Sequence, residues 1–595
     1  MYSNKMSGRR TALVLASLLA GAGLLGAADD ATTTAPPSNS ATVAATGAPS
    51  QNDEIARLKA ALAEQQKQLQ ALQQMLQQQQ QLIEKAVAPA TTPAPVGETL
   101  RPNLGNVASM TPVFPAPVAA PVASPIALPG PASSTSVFPG PGPQGGSTTA
   151  GAGNPCEAAP ETTQMPAYLR LGSVCIAPVG FMDMTAVWRN ENTGGSIGSS
   201  FGSIPLNSGA TGRLSETRFN MQNSRIGFRI DGNWMGAHFI GYNEFDFLGT
   251  SGATSITVTN GAVVPRARLY WVDVRKGKFE FLAGQSWSLL TPSRSGISPL
   301  PGNIFYSQVM DVNYIVGLTW TRQPGFRFVF HPSDKIAFGF SAENPDTYVG
   351  GSGGGSTITV PSALSALLGT QLDSTAGFNT SSVVNPDFIA KLAFDPNSHI
   401  HFEINGIERT FKVWDTVTNV YNSKIGGGVS FNFNVEPVKN FRVISNNYWS
   451  DGGGRYLFGE APDLVLNVNG SISPLHSGGL NEGFEATMGK FLLFGYYGGT
   501  YVGRDVVIDT NGTQVGYGVK PGSQNRMMQE VTFGMNQTVW RSPRYGAINF
   551  IYQYAFEQRS LWYWTTGIAG GKGAKDDSIY FDVRYTLPGA APNFN

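Results

Sequence analysis

The chain has 595 residues, more than a single domain normally uses, with 13% charged residues, 11% aromatic residues and 71 glycines. Lysine plus arginine number 40, as do aspartate plus glutamate, so the formal net charge is zero. This balance excludes a strongly basic nucleic-acid-binding protein, and no window of about 18 uncharged apolar residues predicts a transmembrane helix. Few charges with many aromatic and small residues are typical of a barrel with lipid outside and water inside.

The first 28 residues predict an export signal. Arg9 and Arg10 supply its positive region, residues 11–25 form a short apolar segment, and residues 26–28 resemble a cleavage site. The apolar segment is too short to span a membrane stably, so we expect it to be removed. Residues 29–52 are rich in alanine, threonine, proline and serine and are expected to be disordered.

Residues 53–87 predict a periplasmic coiled coil that assembles copies of this chain. Apolar residues recur every seven positions, and a second set follows three residues later, which is the spacing of a helical seam. The two sets are Ile55, Leu62, Leu69, Leu76 and Ile83, then Leu58, Gln65, Leu72 and Gln79. The seam implies an oligomer without fixing the number of helices, and an isolated amphipathic helix is the alternative.

Residues 88–166 predict an extended spacer, because proline, alanine, glycine, serine and threonine cannot build a core. Two cysteines, Cys156 and Cys175, lie where this spacer meets the following domain. In an oxidising compartment they favour one disulfide, and two free thiols are the alternative.

From about Val179 the sequence changes to short segments in which apolar and polar residues alternate. Phe431 and Phe433 alternate with Asn432 and Asn434, for example. Residues 399–405, 548–557 and 579–585 share this period of two. Bulky aromatic residues on one face of the segments predict strands of a transmembrane β-barrel. A soluble β-sandwich is the alternative, although it does not need aromatic residues on nearly every strand.

Turn chemistry predicts 16 antiparallel strands within residues 167–595. Tight connections recur, such as 275–277 and 395–398, and longer Gly/Ser/Asn-rich connections lie between them, such as 344–385 and 504–526. Short periplasmic turns with long outer loops are typical of barrels in the outer membrane of Gram-negative bacteria. The predicted fold is therefore an all-β transmembrane barrel preceded by a short α-helical coiled coil and a disordered spacer.

Sixteen strands leave a water-filled channel, whose selectivity depends on inward-facing side chains. With Ile226 and Phe228 outward, and with Leu269 and Trp271 outward on a later strand, alternation predicts a basic strip on the inner wall. The strip consists of Arg225, Arg229, Arg266, Arg268 and Arg327. Because guanidinium groups bind carboxylates, this strip favours anions.

Glu244 and Asp246, on a neighbouring strand, are expected to supply the opposite charge to this strip. The alternative is that the arginines only pair with acidic residues such as Glu244, Asp246 and Asp273, and so hold the wall together. The nearly equal numbers of acidic and basic residues in the barrel region keep this alternative open.

The connection 287–312 is the candidate for a loop that folds inward and narrows the channel. It is long, contains three prolines, and carries Arg294 and Asp311 as candidate pore-lining residues. It also has fewer serine and asparagine residues than the outer loops. An ordinary surface loop is the alternative.

No catalytic, cofactor or metal site is predicted. His399, His401 and Glu403 share one strand face, as metal ligands can, but they directly follow a short turn, where polar residues of the periplasmic rim lie. Neither a phosphate-binding glycine loop nor a nucleophile elbow is present in the sequence. We therefore expect a protein that is not an enzyme.

Five short motifs lie in order within residues 215–330, and together they resemble the DcaP-like porins. The motifs are residues 224–228 (SRIGF), 244–247 (EFDF), 268–270 (RLY), 284–288 (GQSWS) and 322–325 (RQPG). The resemblance implies a trimeric 16-strand porin with an N-terminal periplasmic coiled coil. It also implies uptake of small anionic or dicarboxylate solutes.

Together these observations predict an outer-membrane porin that lets small hydrophilic, anionic solutes diffuse passively. Its expected partners are the lipid bilayer, two further copies of the chain and the solutes. The alternative is a structural protein that tethers the outer membrane to the cell wall through its coiled coil. A barrel-embedded enzyme or adhesin is the least favoured reading, because His331, His399 and His401 map near periplasmic turns.

Overall fold

The computed structural model describes residues 168–193, 197–249, 263–304, 308–351, 357–372, 385–415, 418–542, 544–563 and 573–587. The chain divides into two units, Met1–Ala127 and Leu128–Asn595, and all described residues belong to the second. The predicted signal peptide, disordered segment, coiled coil and spacer lie outside the described residues. Within the described ranges, no helix has the length and apolar character needed to cross a membrane.

The described residues form strands and short 3-10 turns. The strands are β1 Leu169–Leu171, β2 Val174–Arg189, β3 Glu216–Asn220, β4 Arg225–Trp234, β5 Ala237–Asp246, β6 Arg266–Lys276, β7 Phe279–Trp287, β8 Arg322–Ser333, β9 Ile336–Glu343, β10 Asp387–Asn397, β11 Ile400–Asp415, β12 Val420–Val438, β13 Phe441–Asp451, β14 Leu464–Leu466, β15 Ile472–Pro474, β16 His476–Met488, β17 Phe491–Val502, β18 Asp505–Ile508, β19 Gln514–Tyr517, β20 Asn525–Ser542, β21 Gly546–Leu561 and β22 Gly573–Thr586. The 3-10 turns are Phe201–Ser203, Thr211–Arg213, Pro301–Asn303, Ser362–Leu367 and Gly454–Tyr456.

Sixteen antiparallel strand positions close into one barrel, which confirms the number predicted from the turns. Strand β2 closes the ring, because it pairs with β22 along residues 181–189 and with β3 and β4 on its other edge. Strands β3 and β4 lie end to end along β2 and occupy one position. Strand β1 pairs with the start of β2, and the hairpins β14–β15 and β18–β19 form separate two-stranded sheets.

The barrel strands expose an apolar face and bury a polar one, as their period of two predicts. On β12, Phe431 is 49% exposed, whereas Asn432 and Asn434 are buried. Phe326 and Phe328 on β8 are likewise exposed. An apolar outer face around a polar interior is the arrangement that suits a barrel in lipid.

The predicted orientation of Leu269 and Trp271 on β6 is wrong. Both side chains are buried on the inner face, and Tyr270 is exposed instead. The pairing between β5 and β6 passes over Arg268, so this residue forms a β-bulge. One extra residue moves the following side chains to the opposite face. Arg266 and Arg268 nevertheless both lie on the inner face, because Arg266 precedes the bulge and Arg268, the bulged residue, has its side chain buried inside.

Tight turns join the strands at one end of the barrel, as predicted. Gly277 and Gly489, between β6 and β7 and between β16 and β17, have φ of 59°, the left-handed region that favours glycine. At the other end the connections are long, including residues 344–386, 452–475 and 503–524. The structure thus confirms the alternation of short and long connections from which the 16 strands were predicted.

The long connections pack together in the mouth of the barrel. Their apolar side chains form one buried cluster with wall residues of β11, β17 and β20, and the loop members include Phe201, Val349, Ile358, Leu364, Leu367, Leu464, Leu466 and Tyr517. Thr359 and Gly516 also exchange two backbone hydrogen bonds, of 2.8 and 2.6 Å, between separate loops. The long-loop end of the barrel is therefore an ordered layer with its own core.

Cys175 lies at the start of β2 and is fully buried. It is disulfide-bonded, in agreement with the predicted disulfide. The only other cysteine of the chain, Cys156, lies outside the described residues.

Candidate functional site

The described parts of the connection between β7 and β8, residues 288–304 and 308–321, lie inside the barrel. Leu289, Leu290 and Ile297 pack against the inward-facing side chains of β8 to β11. Further along, Tyr314 and Leu318 belong to a second apolar cluster with residues of β5 to β7, β13 and β17. The inward-folded loop was predicted for residues 287–312, and the structure extends it to the start of β8. We call residues 288–321 the inner loop.

The two predicted pore residues of the inner loop are buried against the barrel wall. Arg294 forms an ion pair with Glu485 of β16, with 2.8 Å between Nη2 and Oε1. Asp311 accepts hydrogen bonds from the backbone amide of Ser199 (2.7 Å) and from Tyr580 Oη (3.0 Å). Burial raises the pKa of Asp311, and the nearby Arg189 guanidinium opposes that shift. Both side chains fasten the loop to the wall.

On the inner face of β3 to β6, exposure separates basic from acidic side chains. The acidic residues are all buried: Glu216, Asp231, Glu244, Asp246 and Asp273. The partly exposed residues are basic apart from Asn220: Arg218, Arg225, Arg229, His238, Arg266 and Arg275. Any solute that reaches this wall therefore meets guanidinium groups first. We call these six residues the basic wall.

The ion pairs of the basic wall show the same asymmetry. The Arg266 side chain is 40% exposed, whereas that of its partner Asp246 is fully buried, with 2.7 Å between Nη2 and Oδ2. Arg229 is 17% exposed, and its partner Asp231 is fully buried. The predicted pairing with acidic residues is therefore present, but the carboxylates lie beneath the guanidinium groups. The arginines of this wall are therefore paired with carboxylates and still present positive charge to the lumen.

Three of these acidic residues, Glu216, Glu244 and Asp246, each bind a second, buried arginine. Glu244 and Asp246 both bind Arg268, at 2.9 and 2.7 Å. Glu216 binds Arg189 at 3.1 Å in addition to Arg218 at 2.8 Å. Among the described residues, these two networks thus contain more guanidinium groups than carboxylates, and Arg218 and Arg266 are their most exposed members.

Tyr314 and Arg322 join this basic site, although the sequence did not single them out. The Tyr314 hydroxyl accepts hydrogen bonds from Arg225 and Arg268, at 3.5 and 3.4 Å. Burial raises the pKa of Tyr314, but the guanidinium groups of Arg225, Arg268 and Arg322 outweigh it and lower the pKa. The Arg322 guanidinium lies over the rings of Trp287 and Trp320, 5.4 and 5.7 Å from their centroids. Counting alternate residues back from the outward-facing Phe326 predicts that Arg322 also faces outward. The sequence pattern therefore did not identify Arg322 as a site residue.

Arg327 on β8 is buried and faces inward, which is the direction that the alternation predicts. Its guanidinium donates hydrogen bonds to the carbonyl oxygen of Trp287 and to Ser286 Oγ. Both acceptors lie at the end of β7, where the inner loop begins. Arg327 therefore supports the entry of the loop into the barrel.

His399, His401 and Glu403 do not act together in the structure. His399 is largely exposed at the short-turn rim and lies 3.4 Å from Glu436. His401 and Glu403 are buried further inside, where the two ring nitrogens of His401 face Asp395 and Glu403 at 2.9 and 3.3 Å. Rim polarity thus accounts for His399, but not for His401 or Glu403. Across the described ranges, no cluster of His, Cys, Asp or Glu side chains has the arrangement of a metal site.

No family model and no curated protein sequence matches this chain. Among solved structures, it is similar to the outer membrane channel DcaP of Acinetobacter baumannii. The identity is 15% and the TM-score 0.51, and the match covers 71% of this chain and 100% of that chain. This likeness establishes a shared barrel fold and agrees with the motifs within residues 215–330.

Two other solved structures are more distant. Salmonella typhi OmpF in complex with daunomycin is 10% identical, with a TM-score of 0.40 over 71% of this chain and 100% of that one. An anion-selective porin from Comamonas acidovorans is 10% identical, with a TM-score of 0.39 over 69% of this chain and 99% of that one. At these scores neither structure supports an argument about this chain.

Proposed function

We propose that this chain is an outer-membrane channel for the passive diffusion of small hydrophilic anions, carboxylates among them. The observation that carries the proposal is the exposure of guanidinium groups above buried carboxylates on β3 to β6. The apolar outer face supports a position in the lipid bilayer. The inner loop occupies part of the barrel interior, and this supports a narrowed lumen in which wall charges act on solutes at short range.

The basic wall selects by charge and by geometry. Surplus positive charge raises the local concentration of anions in a confined aqueous path. A guanidinium whose carboxylate partner lies behind it retains N–H donors for a solute, and a solute carboxylate accepts two such donors at once. Arg218, Arg225 and Arg266 are the residues we assign to this role, with Arg229, Arg268 and Tyr314 supporting the site.

Replacing Arg218, Arg225 and Arg266 together with glutamine is expected to remove most of the anion preference. Each neighbouring carboxylate retains Arg189 or Arg268, so the wall keeps its ion pairs. A unit charge 6 Å from an ion in water contributes about 0.7 kcal/mol, so each substitution should lower the anion-to-cation permeability ratio several-fold. The reversal potential in planar bilayers under a KCl gradient measures this ratio.

Lys276→Gln is the control for this experiment, because Lys276 is an exposed residue at the short-turn end of β6 and alternation directs its side chain to the face opposite that of Arg275. It should leave the reversal potential unchanged. A wild-type protein that forms no channel, or a triple variant with the wild-type permeability ratio, contradicts the proposed function.

We also propose that three copies of the chain assemble, with residues 53–87 as a periplasmic coiled coil. The heptad pattern supports the assembly, and the resemblance to DcaP-like porins supports its number. Deleting residues 53–87 should lower the yield of cross-linked trimer, with deletion of an equal length of the spacer as control. An unchanged yield argues against assembly through this segment, whereas loss of cell-wall association alone favours the tethering alternative.

A further inference from the structure

His238 is the member of the basic wall whose side chain changes its charge near neutral pH. The other five members are arginines, which stay charged, whereas an imidazole ordinarily gains a proton as the pH falls from about 8 to about 5. His238 lies near the start of β5, two positions before Ile240, whose side chain is buried on the inner face. The His238 side chain is 22% exposed. The imidazole is therefore within reach of water and solutes in the lumen.

A buried carboxylate lies beside this imidazole. Asp231 on β4 is fully buried, and its Oδ1 atom accepts a hydrogen bond from Arg229 Nη2 at 2.7 Å. His238 Nε2 lies 3.5 Å from the same Oδ1 atom. Within the part of the chain that the structure describes, neither His238 Nε2 nor Asp231 Oδ2 has a hydrogen-bond partner. The site thus holds an unused acceptor atom next to a ring nitrogen that is a donor whenever the imidazole is protonated.

The formal charges around His238 balance without its proton. On the flanking strand β4, the charged residues near His238 are Arg229 and Asp231. On the flanking strand β6, Arg275 pairs with His238 in register, and the buried Asp273 lies two residues away. Two guanidinium groups therefore face two carboxylates. A proton on His238 leaves one surplus positive charge in this part of the wall.

Protonation of His238 changes the basic wall in two ways. The imidazolium adds a positive charge that reaches the lumen, because the side chain is partly exposed. It also competes with Arg229 for Asp231, since both donors then share one carboxylate. A guanidinium that is bound less tightly to its own partner keeps more N–H donors for the carboxylate of a solute. Both changes favour anions over cations.

We propose that His238 is a specificity-determining residue that strengthens the anion preference of the channel as the pH falls. The proposal rests on the proposed function and adds regulation of the same wall by pH. Carboxylate solutes keep most of their charge in this range, because ordinary carboxyl groups release their proton near about pH 4. A mildly acidic medium therefore increases the attraction without neutralising the solute.

The reversal potential under a KCl gradient, measured at about pH 7.5 and about pH 5.5 in bilayers of zwitterionic lipid, tests this proposal. The anion-to-cation permeability ratio of the wild type should rise roughly threefold at the lower pH, the factor that one unit charge about 6 Å from an ion produces in water. His238→Gln cannot gain the proton, so most of this rise should be missing. His238→Lys carries a fixed charge and should show at the higher pH the ratio that the wild type reaches at the lower pH.

His399→Gln is the matched control, because His399 is largely exposed at the short-turn rim, outside the basic wall. It should respond to pH as the wild type does. The heat-dependent shift in gel mobility checks that each variant is folded. A wild-type response in His238→Gln overturns the proposal, as does a wild-type ratio that does not change with pH or a ratio in His238→Lys that still follows the pH. Failure of the proposed function differs from these results, because the wild type then lacks an anion preference at both pH values.

Discussion

Replacing Arg409 with methionine is expected to lower the free energy of unfolding by about 3–5 kcal/mol, the cost of breaking a buried ion pair. The Arg409 guanidinium lies 3.1 Å from Asp387 and 2.7 Å from Asp463, and all three side chains are buried. It also donates to the carbonyl oxygen of Gly452 at 2.6 Å. Gly452 and Asp463 belong to a long connection. The substitution should therefore also loosen the layer of long connections in the barrel mouth, which we call the cap.

Urea unfolding in phospholipid vesicles measures the stability of this variant, and limited proteolysis of residues 452–475 measures the loosening of the cap. Arg442→Met is the matched control, because Arg442 pairs with Glu436 at the short-turn rim, where both side chains keep some exposure. A partly exposed rim pair of this kind contributes less than a fully buried one, because water solvates the charge that is left behind. Equal losses in the two variants contradict the assignment of Arg409 as the anchor of the cap.

Replacing Glu460 with glutamine is expected to make the protein less sensitive to alkaline pH. Glu460 is a buried residue of the same connection and accepts a hydrogen bond from the Thr500 hydroxyl. Burial raises the pKa of Glu460 to about 8, although the Thr500 hydrogen bond opposes the shift. The folded chain therefore keeps a proton that the unfolded chain releases near pH 4.5.

The sign of the effect follows from this difference in bound protons. Stability falls as the pH rises from about 4.5 to about 8, and the loss is on the order of 5 kcal/mol at 1.36 kcal/mol per pH unit. Glutamine stays neutral throughout, so Glu460→Gln should lose less stability between pH 5 and pH 8.5 than the wild type. Urea unfolding at the two pH values measures both proteins, with the exposed Glu408→Gln as control. An identical pH-dependent loss in wild type and Glu460→Gln contradicts the prediction.

Most of the barrel could be predicted from alternation and turn chemistry because each strand repeats the same two-residue rule. Phe431 and Asn432 illustrate it, since neighbouring side chains on a strand must point to opposite faces. The rule failed on β6 because the bulge at Arg268 interrupts the alternation. It also missed Arg322, which the rule places outward at the start of β8 but which lies against Trp287 and Trp320.

The basic site was predicted only in outline. The residue types and the inward direction of Arg225, Arg229 and Arg266 follow from the pattern, whereas their relative exposure does not. That Asp246 lies beneath Arg266 depends on how two adjacent strands pair and on how far each side chain extends. Arg294 and Asp311 were recognised as charged residues of an inner loop, but their partners Glu485 and Tyr580 lie 191 and 269 residues further along the chain.

The sequence by itself determined the kind of fold: 16 strands, an apolar outer face, a polar inner face, tight turns at one end and long connections at the other. These features depend on local backbone geometry, which near neighbours in the chain specify. Only the tertiary structure decided which charges are presented to the lumen and where the inner loop attaches. Closing the ring brings Arg294 to Glu485 and Tyr314 to Arg225, and contacts between residues so distant in sequence leave no local pattern to read.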